Sequence, residues 1–211
     1  TILWGELQNS GQVYFGAPSS SLLRGPGGGI VNQATGVWTF DQEGGAIEVL
    51  TDNFKNYGMV NFQATDITFG APFFNMPGGT TTFHSGTANF PGGLNVNGGR
   101  VVLNGGNLGP PGCGIYMANM GSGGTFCGTG HVANYVSHNY GILAPGHSPG
   151  ALSIGGRYDQ GANATLQIEL GGKKPGTEYD QLVVAENADV AGTLDVSFWD
   201  GYAPPAGNAS T

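Results

Sequence analysis

Residues Gly146-His147-Ser148-Pro149-Gly150 fit the G-x-S-x-G pattern that presents the nucleophile of a serine hydrolase on a sharp turn. In such an elbow the serine lies between a strand and a helix, and the N–H of the next residue helps to bind the oxyanion. Here the next residue is Pro149, which has no N–H to donate. Segment 151–156, which follows, has the pattern of a strand. The sequence therefore predicts a corner built from two Pro-Gly turns, with no catalytic serine.

The histidines offer little support for a metal or cofactor site. None of the four lies in an HxH or HExxH pattern, and His131 and His138 are predicted to point to opposite faces of a strand-like region. We expect surface or corner histidines and no bound metal or cofactor. The four positions are His84, His131, His138 and His147.

Carboxylates are the other candidates, because β-helical polysaccharide-degrading enzymes place two or three Asp or Glu side chains on one face as acid and base. The cluster Glu178-Tyr179-Asp180 stands out. We interpret it as a solvated turn in which Asp180 caps local backbone N–H groups, with calcium binding and catalysis as alternatives. The carboxylates of this last third of the chain are Asp159, Glu169, Glu178, Asp180, Glu186, Asp189, Asp195 and Asp200.

Two cysteines, Cys113 and Cys127, lie in one glycine-rich segment. In an oxidising compartment they could close a disulfide loop, which the chain-entropy estimate values at about 3 kcal/mol. Two cysteines without further ligands cannot form a four-ligand zinc site. We predict the disulfide, with two free buried thiols as the alternative.

Composition predicts strands and turns. The 211 residues include 41 glycines and 12 prolines, yet 39% are hydrophobic and these fall in short alternating runs. The net charge is −8 with only six Lys or Arg and no basic stripe, which argues against nucleic-acid binding and attraction to anionic lipid. No apolar run approaches the length of a membrane-spanning helix, so we expect no membrane insertion.

The predicted strands are short and bounded by Gly, Asn, Pro or Asp, and we find no convincing helix beyond one turn within 113–121. They are 37–40, 46–50, 59–62, 66–69, 80–83, 94–96, 100–103, 152–154, 164–170, 181–184 and 193–198.

The spacing of turn residues favours a solenoid. Asn97-Gly98-Gly99 and Asn104-Gly105-Gly106 lie seven residues apart, which suits either the corners of a solenoid coil or a β-hairpin. The rhythm persists over about residues 30–200, so we predict a single parallel β-solenoid domain over 1–211. Its aromatic side chains should stack in the interior. The alternative for them is an exposed strip that binds sugars.

The last part of the chain carries a recognisable set of motifs: YGILAPGHSPGAL, GRYDQGANATLQIELGG, GTEYDQLVV and ADVAGTLDVSFWDGYAPPAGN. This set resembles the passenger region of autotransporter-type adhesins and related β-strand-repeat surface proteins of bacteria. The match covers about residues 128–207, and segment 1–127 looks like the looser repeats of such proteins. The resemblance implies a right-handed parallel β-helix, secreted or on the cell surface, without enzymatic activity of its own.

Two function classes follow. The first is a non-catalytic structural or adhesive extracellular solenoid; the second is a carbohydrate-active β-helix enzyme or tailspike-like depolymerase. An enzyme should place carboxylates within about 10 Å of each other in an aromatic-lined groove. The sequence shows no polar cap at either end of the solenoid. We therefore expect the partners to be other copies stacked head to tail or the rest of a longer precursor, with surface glycans as a further partner class.

Overall fold

A computed structural model describes residues 5–16, 21–24, 27–41, 46–63, 66–109 and 121–204. Within these ranges the chain forms short strands and no helix, and every pairing between named strands is parallel. The predicted all-β parallel solenoid is confirmed. Its right-handed sense stays a prediction.

All eleven sequence-predicted strands are present, with bounds within a few residues, and the structure adds others that are mostly shorter. The strands in chain order are β1 Leu7–Asn9, β2 Gln12–Phe15, β3 Ser21–Arg24, β4 Ile30–Asn32, β5 Val37–Asp41, β6 Ala46–Leu50, β7 Phe54–Asn56, β8 Met59–Gln63, β9 Asp66–Phe69, β10 Phe73–Asn75, β11 Thr80–Phe83, β12 Thr87–Asn89, β13 Leu94–Val96, β14 Arg100–Leu108, β15 Thr125–Val132, β16 Val136–Asn139, β17 Ile142–Pro145, β18 Ala151–Ile154, β19 Tyr158–Gln160, β20 Thr165–Leu170, β21 Gln181–Val184, β22 Ala188–Val190 and β23 Thr193–Phe198.

Successive turns of the chain supply up to three strands each, and strands at the same place in their turns stack into ladders. The ladder we call the long face runs β2-β5-β8-β11-β14-β15-β17-β20-β23. Strands β1-β4-β7-β10-β13 and β16-β19-β22 form two further sheets, each strand of which comes just before the long face in its turn. The remaining ladder runs β3-β6-β9-β12 and reaches β18-β21 through the second halves of β14 and β15.

The second Asn-Gly-Gly segment differs from its predicted role as a corner between strands. Asn104-Gly105-Gly106 lies inside β14, which bends without ending and pairs on two sides of the solenoid, with a register shift between Asn104 and Asn107. Gly105 has φ +89°, a conformation that strongly favours glycine. Asn97-Gly98-Gly99 is a true corner between β13 and β14, so the hairpin alternative is wrong.

Aromatic side chains fill the interior of the N-terminal half, as predicted. Phe40, Phe62 and Phe83 stack in one column, with ring centroids 5.2 and 4.6 Å apart. A second column pairs Phe54 with Phe73 at 5.0 Å. Rings from different columns meet edge to face, an arrangement that aromatic quadrupoles favour. These rings belong to the buried core of the protein.

A ladder of buried asparagines runs beside the aromatic core. Asn32, Asn56 and Asn75 end the strands β4, β7 and β10 and are fully buried. The Nδ2 group of Asn32 donates to Oδ1 of Asn56 at 2.8 Å, and that of Asn56 donates to Asn75 at 2.8 Å. Asn9 begins the ladder by donating to Asn32 at 2.9 Å. Because each amide bonds to its neighbours, the polar groups are satisfied although water is excluded.

Candidate functional site

The G-x-S-x-G segment is a corner between two strands. Gly146 to Gly150 connect β17 to β18. The serine is therefore followed by a strand, whereas in a nucleophile elbow it is followed by a helix. Ser148 and His147 are both exposed. The prediction that this segment is a turn-built corner is confirmed.

Asp180 anchors this corner from beneath. Its Oδ1 accepts a hydrogen bond from the Gly150 N–H at 2.8 Å, and its Oδ2 accepts one from the Glu169 N–H at 2.9 Å. The side chain is buried, which raises the pKa of its carboxyl, whereas the two backbone donors lower it. The interpretation of Asp180 as part of a solvated turn with local caps is therefore wrong. Asp180 bonds instead to Gly150, which lies 30 residues before it in the chain, and to Glu169, which lies 11 residues before it.

Glu178 takes the local capping role that the sequence assigned to Asp180. Its Oε2 accepts hydrogen bonds from the backbone N–H groups of Lys173 at 2.8 Å and Lys174 at 3.2 Å. These two donors hold the pKa of the Glu178 carboxyl below its usual value. The cluster 178–180 thus stabilises turns through both of its carboxylates.

His147 attaches the same corner to an earlier turn of the solenoid. Its Nε2 lies 2.8 Å from the carbonyl oxygen of Leu103, and since a carbonyl only accepts, the ring nitrogen is the donor. This hydrogen bond fixes the position of the His147 ring, so we interpret the histidine as a structural residue of the corner.

A groove of about 410 Å³ opens beside the corner. Its wall is the outward side of the long face, where the polar side chains of β20 alternate with the half-buried, inward Leu166, Ile168 and Leu170. Gln167 Nε2 donates to Oδ2 of Asp195 at 3.3 Å, and Glu169 lies two residues further along the same strand. The part of the chain that the structure describes contributes no Phe, Tyr or Trp to its lining, which consists of Arg100, Thr125, Cys127, Ala144, Pro145, Gly146, His147, Ser148, Gln167, Glu169, Asp180, Asp195 and Ser197.

Cys127 lies at the base of this groove and is 4% exposed. Its thiol has no disulfide partner among the described residues, and its Sγ lies 3.6 Å from the carbonyl oxygen of Val101. Burial raises the pKa of the thiol, and nearby Arg100 lowers it by a smaller amount. Cys113 lies outside the described residues, so the Cys113–Cys127 disulfide stays a prediction. A buried thiol with a raised pKa is a poor nucleophile at neutral pH.

The structure brings together one serine and histidine that sequence spacing did not connect. His131 Nδ1 lies 2.8 Å from Ser153 Oγ, and this hydroxyl donates to the carbonyl oxygen of Gly130 at 3.1 Å. Because the hydroxyl proton is used on a carbonyl, the histidine ring is the donor to Oγ and does not activate it. The contact arises from the β15–β18 pairing, in which His131 and Ser153 are direct neighbours.

His84 and His147 do not join this pair. His84 Nδ1 lies 3.4 Å from the Asn104 side-chain amide, and the His138 side chain lies outside the described residues. Within the part of the chain that the structure describes, no three His, Cys, Asp or Glu side chains are grouped as metal ligands would be. The same part contains no helix of the length and apolar character needed to cross a membrane.

The C-terminal end of the solenoid exposes apolar side chains that other turns bury. Leu194 on β23 aligns with Leu166 and, through it, with fully buried Leu143, yet it is 61% exposed. Phe198 is 57% exposed on the same strand. No described strand lies beyond β23, so these inward positions lack the next layer. We call the exposed apolar residues here the C-terminal end: Val190, Leu194, Val196, Phe198 and Trp199.

The N-terminal end is partly open in the same way. Leu7, Val13 and Phe15 pack against the core and are only half-buried, although their aligned neighbours Ile30 and Trp38 are buried. Sequence reasoning predicted uncapped ends but not which side chains they expose. That depends on which strands come first and last in the stack.

Comparison with known proteins gives no relative for this chain: no family model, curated protein or solved structure matches it.

Proposed function

We propose that this chain is a non-catalytic structural solenoid that works outside the cell, on the cell surface or as a subunit of an extracellular fibre. The observation that carries the proposal is the C-terminal end, where five apolar side chains are exposed and three of them, Leu194, Val196 and Phe198, alternate along the inward side of β23. An exposed apolar surface of this kind marks an interaction site. The extracellular setting rests on the acidic, lysine-poor composition and on the resemblance of 128–207 to surface adhesins.

The hydrogen bonds made by the Asp, His and Ser side chains that could act in catalysis support a structural role. Asp180 and His147 hold the corner at 146–150, and Ser153 directs its proton to a carbonyl. Asp180, His147 and Ser153 are thus each bonded to backbone atoms of other segments of the solenoid. These bonds fix the stack of turns and leave no activated nucleophile among them.

A carbohydrate-active enzyme is the second candidate, and the groove beside the corner is the observation that favours it. Glu169 and Asp195 lie on adjacent strands and both face this groove, as a pair of acid and base carboxylates would. Against this function, none of the described residues that line the groove is a Phe, Tyr or Trp on which a sugar ring could stack.

We expect no hydrolysis of glycans or esters by the purified chain. The measurement is release of reducing ends from a panel of acidic and neutral polysaccharides, and of p-nitrophenol from esters, by the wild-type chain and by Glu169→Gln and Asp195→Asn. The three proteins should give the same background, because neither carboxylate is part of a complete site. Turnover by the wild type that falls at least 100-fold in either variant would establish the enzyme instead.

A further inference from the structure

We propose that the C-terminal end binds the N-terminal end of a second copy of this chain, so that strand β23 of one copy pairs in parallel with strand β2 of the next. The inference rests on the proposed structural function and gives it a partner and a register. The long face would then continue from one molecule into the other without a change of strand direction.

The backbone supports this pairing. Strands β2 and β23 are the two ends of the long-face ladder, and each pairs with a described strand on one side only. An unpaired parallel strand presents a row of N–H and C=O groups that another strand can bond. Because all strands of the ladder run in the same direction, a head-to-tail contact repeats the pairing already found between every two turns.

Register follows from the ladder itself. The outward positions Gln12, Val37, Met59, Thr80 and Arg100 align in sequence along the long face. The same line of positions continues through Thr125, Ile142 and Thr165 to Thr193. The next position after Thr193 is therefore occupied by Gln12 of the second copy.

This register places apolar side chains on apolar side chains. Leu194 of one copy would lie on Val13 of the next, and Val196 on Phe15, both pairs on the inward side of the face. All four are incompletely buried in the single chain. Joining the ends would remove both sets from water, which is the main favourable term in such an association.

Charge makes the association depend on salt. The chain carries a net charge of −8, and Asp189 and Asp195 lie on the strands of the C-terminal end. Copies therefore repel one another at low ionic strength, and added salt screens this repulsion. Association should become stronger, not weaker, as sodium chloride is added.

Engineered cysteines test the register. Gln12→Cys and Thr193→Cys are purified separately, mixed in high salt and oxidised. Directly paired positions on parallel strands lie within disulfide reach, so the mixture should give disulfide-linked dimers and the double variant should give longer chains. Met59→Cys is the matched control, because Met59 is a 48% exposed residue at the same outward position in the middle of the face. The wild type, with Cys113 and Cys127 only, measures the background.

Three outcomes would overturn the docking. Cross-linking of Thr193→Cys with Met59→Cys as fast as with Gln12→Cys would mean random collision. Dimers of Thr193→Cys alone would mean a tail-to-tail contact. A mixture without dimers in a monomeric chain would mean that the ends do not bind each other. None of these results creates hydrolytic activity, so each rejects the docking without rejecting the structural function.

Discussion

Replacing Asn56 by alanine is expected to lower the free energy of unfolding by about 4 kcal/mol. Its Oδ1 accepts hydrogen bonds from Asn32 Nδ2 and the Gly58 N–H, and its Nδ2 donates to Asn75 Oδ1 and the Thr80 carbonyl. The variant leaves these groups buried without partners, and each such group costs about 1 to 3 kcal/mol. Urea denaturation followed by circular dichroism measures the loss.

Asn95→Ala is the matched control. Asn95 lies in the neighbouring strand β13 but is only half-buried, and its Nδ2 makes one long contact of 3.4 Å to the Phe73 carbonyl. We expect a change of less than about 1 kcal/mol. Equal losses in the two variants would show that the asparagine ladder does not stabilise the fold.

Phe62→Ala should cost about 4 kcal/mol, because truncating a buried phenylalanine removes apolar contacts and leaves a cavity. The Phe62 ring stacks on Phe40 at 5.2 Å and on Phe83 at 4.6 Å, and it meets Phe69 edge to face at 5.7 Å. It therefore links three turns of the N-terminal half. The urea midpoint of the variant measures the effect.

Phe74→Ala is the control for this variant, since Phe74 points outward from β10 and is half-buried. Its truncation should cost less than half as much. A loss for Phe62→Ala no greater than that for Phe74→Ala would contradict the stacked aromatic core.

The strands that the sequence predicted are those with visible alternation of apolar and polar residues. The runs 80–83, 181–184 and 193–198 appear in the structure with the same bounds. Alternation of apolar and polar residues is the direct signature of a strand with one buried face, so such a strand can be predicted without knowledge of the fold.

Two of the strands that were not predicted, Phe54–Asn56 and Phe73–Asn75, are short and end in a buried asparagine, which is usually a turn residue. Their amides are buried only because Asn32 and the next turns lie directly above and below to bond them. Such a ladder depends on the register between turns, which single segments do not encode.

Only the features of the site that depend on local sequence could be predicted. Pro149 excluded a nucleophile elbow from the sequence alone, because the missing N–H is a local property. The role of Asp180 beneath Gly150 and the contact of His131 with Ser153 depend on partners one or more turns away. The exposed ends depend on the whole stack.

We propose that the C-terminal end is the surface through which the molecule associates. Sedimentation velocity over a range of micromolar concentrations at high salt is the measurement that tests this proposal. The variant is Leu194→Asp, at an exposed apolar position of the C-terminal end, and its control is Met59→Asp, at an exposed apolar position in the middle of the long face. We expect concentration-dependent association of the wild type and of Met59→Asp, and a monomer for Leu194→Asp, because association would bury the new carboxylate without a partner. A compact wild-type monomer at every concentration, or unchanged association of Leu194→Asp, would contradict it.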